Sequence, residues 1–381
     1  MTKTRIAFYA PLKSPDHPIP SGDREIARLM MRALQLAGYS VDLVSDVISY
    51  QKRPEKALYE RRWSDVAAEE ERIRLDWQQD PGQIPDLWFT YHPYCKSPDW
   101  LGPALSQSFG IPYVTAEACR THQGSASDWL DGRAAVQQAV RTADMNFVLK
   151  DSDWLYLQEV IPGMENAMRI PPFLDLSSQP LKAADPRPLF DNDAPVLLAV
   201  GMMRPGAKMA SYQALAEALK TMQSEAWNLV VVGEGPERET ITGLLDFIEP
   251  ARLKMTGSIA HEDMFALMDQ CDLLVWPGIG EAIGLVYLEA QARGLPVAAL
   301  KTAGVPLVVS NNVGGLMTDP DDVTAYGAAI RRLVDDAILR AELGKQGRSY
   351  VEDKHDVAAV AALFKSTIDE ILKKNRNSIT P

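Results

Sequence analysis

Short, strongly apolar runs recur along this chain, and most are followed by a segment whose apolar residues fall at helical spacing. Arg5–Tyr9 is the first such run. A loop rich in Pro, Ser and Gly follows it, then Asp23–Ala37, where Ile26, Leu29, Met30, Ala33, Leu34 and Ala37 share a face and Gly38 supplies the stop. Val41–Val44, Leu87–Thr90, Tyr113–Thr115 and Asn146–Leu149 continue the strand series. Residues 51–79 are charged but carry Tyr59, Trp63 and Trp77, which predicts a surface helical insertion. Alternation of this kind implies parallel pairing, because each crossover helix returns the chain to the same end of the sheet, with helices on both faces.

The alternation is interrupted once. Pro171, Pro172, Pro180, Pro186, Pro188 and Pro195 crowd into one stretch, the best linker in the sequence. A second cycle then opens with strand Val196–Val200 and helix Ala210–Leu219. It continues through strand Asn228–Val232, helix Arg238–Phe247, strand Leu253–Met255 and helix Glu262–Asp269. Strand Asp272–Trp276, helix Leu285–Arg293 and strand Pro296–Ala299 complete it. The expectation is an α/β chain of two Rossmann-like, doubly wound domains, over 1–175 and 190–355, facing a cleft. Ligands in such sheets sit beyond the carboxyl ends of the strands. A last helix over 356–374 is amphipathic through Val360, Leu363, Phe364, Ile368, Ile371 and Leu372.

Composition narrows the function. A length of 381 residues suits two domains, each with an ample core. The formal charge of −12 argues against bulk nucleic-acid binding, which rests on a cationic surface, yet permits a local phosphate site. No apolar run reaches the roughly 18–20 residues of a membrane span. The amino-terminal residues resemble a buried strand more than a signal peptide. Cys95, Cys119 and Cys271 are too far apart for a metal spacing or redox pair, so a cytoplasmic setting is expected.

Several signatures fail. Gly233-x-Gly235 meets Arg238 where a dinucleotide fingerprint needs its third glycine, and no Gly-rich loop ends in Gly-Lys-Ser/Thr. His261-Glu262 has no second histidine one turn on, and no Gly-x-Ser-x-Gly is present. Asp151-Ser-Asp153 has the form of a cation-holding Asp-x-Asp, but it opens a helical run and is expected to cap it.

The informative stretch is Val275-Trp-Pro-Gly-Ile-Gly-Glu281-Ala-Ile283-Gly284-Leu285-Val-Tyr-Leu-Glu289. A buried strand enters a Gly-rich turn and a helix begins near Gly284, so amides around Ile283–Val286 face outward where an anionic phosphate would be welcome. Gly284 lets a ligand approach the backbone. Glu281 and Glu289, eight residues apart, can serve hydroxyl pairs at opposite ends of one extended ligand; the alternative is two exposed helix glutamates. Arg204 and Lys208 follow the first strand of the second cycle, where a diphosphate would be neutralised.

Taken together, Val232-Gly-Glu-Gly-Pro-Glu-Arg238, Thr256-Gly-Ser258-Ile259-Ala-His-Glu262 and the Glu-x7-Glu of Glu281 and Glu289 resemble the family 4 retaining glycosyltransferases of GT-B fold. The resemblance covers about 195–345, and extends more faintly to Gly22 and to Gly110-Ile-Pro-Tyr-Val-Thr115. It implies that Glu289 holds ribose hydroxyls and Glu281 faces the transferred sugar. Arg204 and Lys208 would neutralise the diphosphate, helped by the Gly284 and Leu285 amides. Ser258 and Ile259 would lie by the base, and Gly22 in a loop closing over the phosphates. The resemblance further implies no metal and no cofactor beyond a UDP- or GDP-sugar donor, and a last helix (356–381) crossing back to the first domain.

Three departures accompany it. Met202 and Met203 separate Arg204 from its strand glycine. Ala303-Gly304-Val-Pro-Leu307 lacks an expected acidic residue. Ala116-Glu117-Ala118-Cys119-Arg120 stands where a histidine often follows the first-domain strand, leaving Glu117, His122 or His92 to take its polar role. The expected activity is sugar transfer with retention to an unknown saccharide, lipid or small-molecule acceptor. The rivals are a nucleotide-sugar-binding protein without transfer, a nucleotide-sugar epimerase and a phosphorylase. Tyr91-His92-Pro-Tyr94, Trp63 and Trp100 are candidates for an acceptor groove. Lys52, Arg53, Lys56, Arg61 and Arg62 leave peripheral membrane contact open, although interleaved Glu55 and Glu60 favour a solvated face.

Overall fold

The computed structural model describes residues 3–19, 21–119, 129–180 and 188–379. The chain divides into two compact units, 1–171 with 357–381, and 172–356. The division falls where the Pro-rich stretch begins, so most of that stretch travels with the second unit.

Unit 1 begins with β1 (Arg5–Tyr9), α1 (Gly22–Leu36), β2 (Ser40–Ser45), α2 (Lys56–Gln79) and β3 (Leu87–Tyr91). It continues with α3 (Gly102–Phe109), β4 (Tyr113–Ala116), α4 (Leu130–Thr142), β5 (Met145–Val148), α5 (Asp151–Val160) and β6 (Ala167–Arg169). The strands form one parallel sheet in the order β2-β1-β3-β4-β5-β6. Ser21 caps α1 by accepting from the Arg24 amide at 3.3 Å, and Gly38, at φ 100°, ends the turn after it. The insertion is the long helix α2, which buries only Val66, Ile73 and Trp77. Trp77 meets Trp88 of β3 edge-on, with ring centroids 6.3 Å apart.

Unit 2 runs β7 (Val196–Val200), α6 (Ala207–Lys220), β8 (Asn228–Val232), α7 (Arg238–Leu244), β9 (Leu253–Gly257), α8 (His261–Met268) and β10 (Leu273–Val275). Then come α9 (Leu285–Ala292), β11 (Val297–Leu300), α10 (Val305–Val308), β12 (Gly315–Thr318), α11 (Val323–Asp335) and α12 (Ala337–Lys354). Its parallel sheet has the order β12-β11-β10-β7-β8-β9. The unit closes on itself where it begins: the Leu174 amide donates to His355 O at 2.8 Å, and His355 Nδ1 lies 2.6 Å from Pro172 O.

The last helix, α13 (Val357–Ile379), packs on α1 in unit 1, the return expected of it. Phe364 anchors the helix on the sheet of unit 1, with its ring centroid 4.7 Å from Phe147 of β5 and 5.7 Å from Phe89 of β3. Burying such a side chain contributes about 1.5–3 kcal/mol. Tyr39 seals the edge, its hydroxyl donating to Asp369 at 2.8 Å. Among the described residues, no helix is long and apolar enough to cross a membrane.

Candidate functional site

The second sheet reverses its strand order between β7 and β10, because β8 and β9 extend to one side and β11 and β12 to the other. Loops leaving these two strands diverge and open a crevice at their carboxyl ends. Lys208, in the first turn of α6, and Glu281, in the turn after β10, meet there as an ion pair. The Lys208 ammonium also lies 5.4 Å from the centroid of the buried Trp276 ring. Gly201 makes room for that ring: a Cβ here would fall 2.5 Å from it.

Arg204 is not drawn into this pair. Met203 is buried and its backbone is bound on both sides, its amide donating to Glu234 O and its carbonyl accepting from the Glu237 amide, each at 3.0 Å. The two extra methionines therefore carry Arg204 outward, and its side chain is exposed.

Gly284 caps α9 with φ 76° and no side-chain partner, so the first amides of the helix remain available, as helix N-termini generally leave them. A Cβ at Gly284 would fall 2.6 Å from the Tyr287 ring and 3.0 Å from Glu281 Cγ. Ile283 turns its side chain into the core, so only its backbone faces a ligand, while Leu285 is half-buried. Glu289 is 9% exposed, and its Oε1 lies 2.9 Å from His261 Nε2 at the start of α8. That contact ties Glu289 to the turn bearing Ser258 and Ile259. Gly304 packs against the Glu281 loop, donating its amide to Glu281 O at 2.8 Å. The acid-free segment Ala303–Leu307 thus buttresses the site through backbone.

Unit 1 repeats the arrangement. Its sheet reverses between β1 and β3. Gly22 opens α1 after β1, with open space where a Cβ would stand. His92, after β3, places Nδ1 3.3 Å from Asp23 Oδ1 and Nε2 3.6 Å from Cys119 Sγ. Glu117, after β4 and at φ 58°, is 2% exposed. It accepts from the Tyr91 hydroxyl at 2.9 Å and pairs with Lys150, whose ammonium is also 3.3 Å from Asp153 Oδ2. Burial opposes the charge on Glu117, but Lys150 and then His92 outweigh it and hold the carboxyl below its usual range. Burial also opposes protonation of His92; Glu117, Cys119 and Asp23 outweigh it and raise the imidazole well above its usual value. Asp153 goes the other way. Burial, with Glu117 adding to it against Lys150, pushes its carboxyl up to about 6.

The capping expected of Asp151 and Asp153 does not occur. Helix α5 has no side-chain cap; Asp151 pairs with Arg169 at 2.5 Å, and Asp153 is drawn into the Lys150 cluster. His122 and Arg120 lie outside the described residues. Sequence reasoning missed Lys150 and Asp23 in unit 1 and the contact of His261 with Glu289; it named Tyr91 only as an acceptor-groove candidate. All but Glu289 stand at or just beyond a strand's carboxyl end or in the first turn of the helix that follows, the one signal that could have found them. Among the described residues, no group of His, Cys, Asp and Glu could hold a metal ion.

Two doubly wound parallel sheets, the second with a cation–carboxylate pair and a bare helix N-terminus at its reversal point, define a protein of the GT-B class. Residues 182–350 match the family model described as glycosyl transferases group 1. That match falls within the second unit, 172–356, and the chain is similar to glycosyltransferases of that family. It is 25% identical over 300 residues to glycogen synthase from Mycobacterium tuberculosis, a match covering 75% of this chain and 67% of the relative. Among solved structures, it is similar to sucrose-phosphate synthase from Thermosynechococcus elongatus, with a TM-score of 0.75 and 20% identity over 98% of this chain and 100% of that one. HepE from Anabaena, solved with UDP-glucose, has a TM-score of 0.66 and 18% identity over 96% of this chain and 99% of that one. These structural likenesses establish the shared fold.

Proposed function

We propose that the chain transfers a hexosyl group from a nucleoside diphosphate sugar to a hydroxyl acceptor, with retention of anomeric configuration and without a metal ion. The observation that carries this reading is the Lys208–Glu281 pair beside the α9 N-terminus. A diphosphate entering the crevice offers Lys208 a more strongly charged partner than Glu281, and the Gly284 and Leu285 amides complete its cradle. Glu281, released from Lys208, then accepts hydrogen bonds from hydroxyls of the sugar. Glu289, oriented by His261, accepts from the ribose hydroxyls, and the Ser258–Ile259 turn lies by the base. Arg204 approaches the phosphates from an exposed position. The relative solved with UDP-glucose supports uridine as the base, with guanosine the alternative.

In the transfer, the bond from the anomeric carbon to the diphosphate oxygen breaks as the acceptor oxygen bonds to the same face. The acceptor proton passes to the departing phosphate oxygen. Lys208 and the helix amides stabilise the charge that builds on the diphosphate, commonly the largest catalytic contribution. In unit 1, the protonated His92 and the hydroxyl-accepting groups around it receive polar substrate atoms. Glu117, with both carboxylate oxygens engaged, acts through Lys150 and His92 as a positioning residue.

Proton NMR of donor turnover in the presence of EDTA tests this. An α-linked donor is expected to give an α-linked product at an undiminished rate. An inverted product, or a rate abolished by EDTA and restored by a divalent cation, would overturn the reading.

A further inference from the structure

The turn that carries Glu281 is fastened from two sides. On one side the Gly304 amide, just ahead of α10, donates to Glu281 O at 2.8 Å. On the other, the Ile279 amide donates to Ser211 Oγ at 3.0 Å. Ser211 lies in α6, about one helical turn beyond Lys208, and is fully buried. Its single hydroxyl proton goes to Ala207 O, 3.0 Å away, so the oxygen meets Ile279 as an acceptor.

Glycine lets the turn come this close to α6. Gly280 stands in the left-handed region at φ 66°, and a Cβ there would fall 3.0 Å from Ala207 Cβ. The turn therefore rests on the first residue of the helix. Among the described residues, two hydrogen bonds join the turn to α6: the Ile279–Ser211 bond and the Lys208–Glu281 pair. A diphosphate that takes Lys208 breaks the second and leaves the first in place.

We infer that Ser211 is a positioning residue of the donor site: by holding Ile279 it keeps Glu281 against Lys208, and so sets how hard a diphosphate must compete for that ammonium. The inference rests on the donor-site reading above. In the empty site the Ser211 bond favours the ion pair. Once a diphosphate has taken Lys208, the same bond keeps the Glu281 turn beside α6, where the sugar attached to that diphosphate lies. Without the Ser211 oxygen the turn is released from α6, the pair weakens and Lys208 is freer. Nucleotide binding should then tighten, and only while Glu281 is present to compete.

Calorimetric titration of UDP and GDP into the wild-type chain, Ser211→Ala, Glu281→Gln and the double variant tests this. Ser211→Ala deletes one oxygen and leaves a strong helix former in α6. It should bind the accepted nucleotide roughly twofold to tenfold more tightly than wild type, the range one hydrogen bond supplies. Ser211→Cys, whose sulfur is a weaker acceptor, gives a second release of the same sign. Glu281→Gln should also tighten binding, and adding Ser211→Ala to it should change nothing further. A merely structural role for Ser211 would give the same change in both backgrounds. Weaker or unchanged binding in Ser211→Ala, or an equal gain with and without Glu281, would overturn the inference and leave the donor site standing. Binding of neither nucleotide to any of these proteins would remove the donor-site reading itself, and this inference with it.

Discussion

Lys208 and Glu281 form an ion pair across the line where the second sheet reverses its strand order, one following β7 and the other β10. His92 and Asp23 do the same across the reversal of the first sheet, 3.3 Å apart, following β3 and β1. In each unit, diverging loops thus supply opposite charges to one crevice. Each pair is neutral in itself, and a charged ligand finds a partner by exchanging with one member.

The Lys150–Glu117 pair is nearly fully buried, with side chains 13% and 3% exposed. Removing one partner strands the other charge in a low-dielectric site. Lys150→Met should therefore destabilise the chain by about 3–5 kcal/mol. The double variant Lys150→Met, Glu117→Gln should recover much of that loss, because the buried charge is then gone. Chemical denaturation of the single and double variants measures both; equal losses would show that the pair carries little energy.

Asp153 sets a pH dependence whose sign follows from its raised carboxyl, about 6 in the fold against an ordinary 3.8. Between these values the folded state holds more protons than the unfolded one, so stability contributed by this group is full below about 4 and lost as pH rises through about 6. Asp153→Asn removes the term. The variant's stability relative to wild type should rise from pH 4 to pH 7, by about 3 kcal/mol at most. Urea denaturation at the two pH values reads this directly, and a difference that shrinks over that range would contradict it.

Gly284→Ala combines a left-handed φ of 76° with a Cβ 2.6 Å from the Tyr287 ring, whose hydroxyl donates to Trp276 O at 3.0 Å. The substitution should lower the melting temperature by roughly 4–10 °C. Gly243→Ala is the control. That residue lies in α7 with nothing within 4 Å of an added Cβ, so it should be neutral or slightly stabilising. Calorimetric scans of the two variants would show the contrast; a similar shift in both would remove the strain argument.

Periodicity made most strands and the first and last helices legible, because residues such as Ile26, Met30 and Leu34 of α1 or Phe364 and Ile368 of α13 bury one regular face. The helix N-terminus at Gly284 was legible for a local reason, a glycine turn between a strand and a helix. Less could be read where function depends on distant pairing. Glu117, Lys150 and His92 follow three different strands, and only the sheet order brings them together. Asp153 looked like a cap because a capping pattern is local, while the Lys150 charge that draws it inward is fixed by burial. The exposed position of Arg204 was hidden for a similar reason: sequence spacing could not show that Met203 would take the buried position.

Isothermal titration calorimetry of UDP and GDP on the wild-type chain, Lys208→Ala and Glu289→Ala tests the central claim most directly. One nucleotide is expected to bind wild type at a single site, and each variant to weaken it tenfold or more, as the loss of a charge-assisted partner implies. Binding of neither nucleotide, or equal affinity in all three proteins, would contradict a donor site at the reversal point of the second sheet.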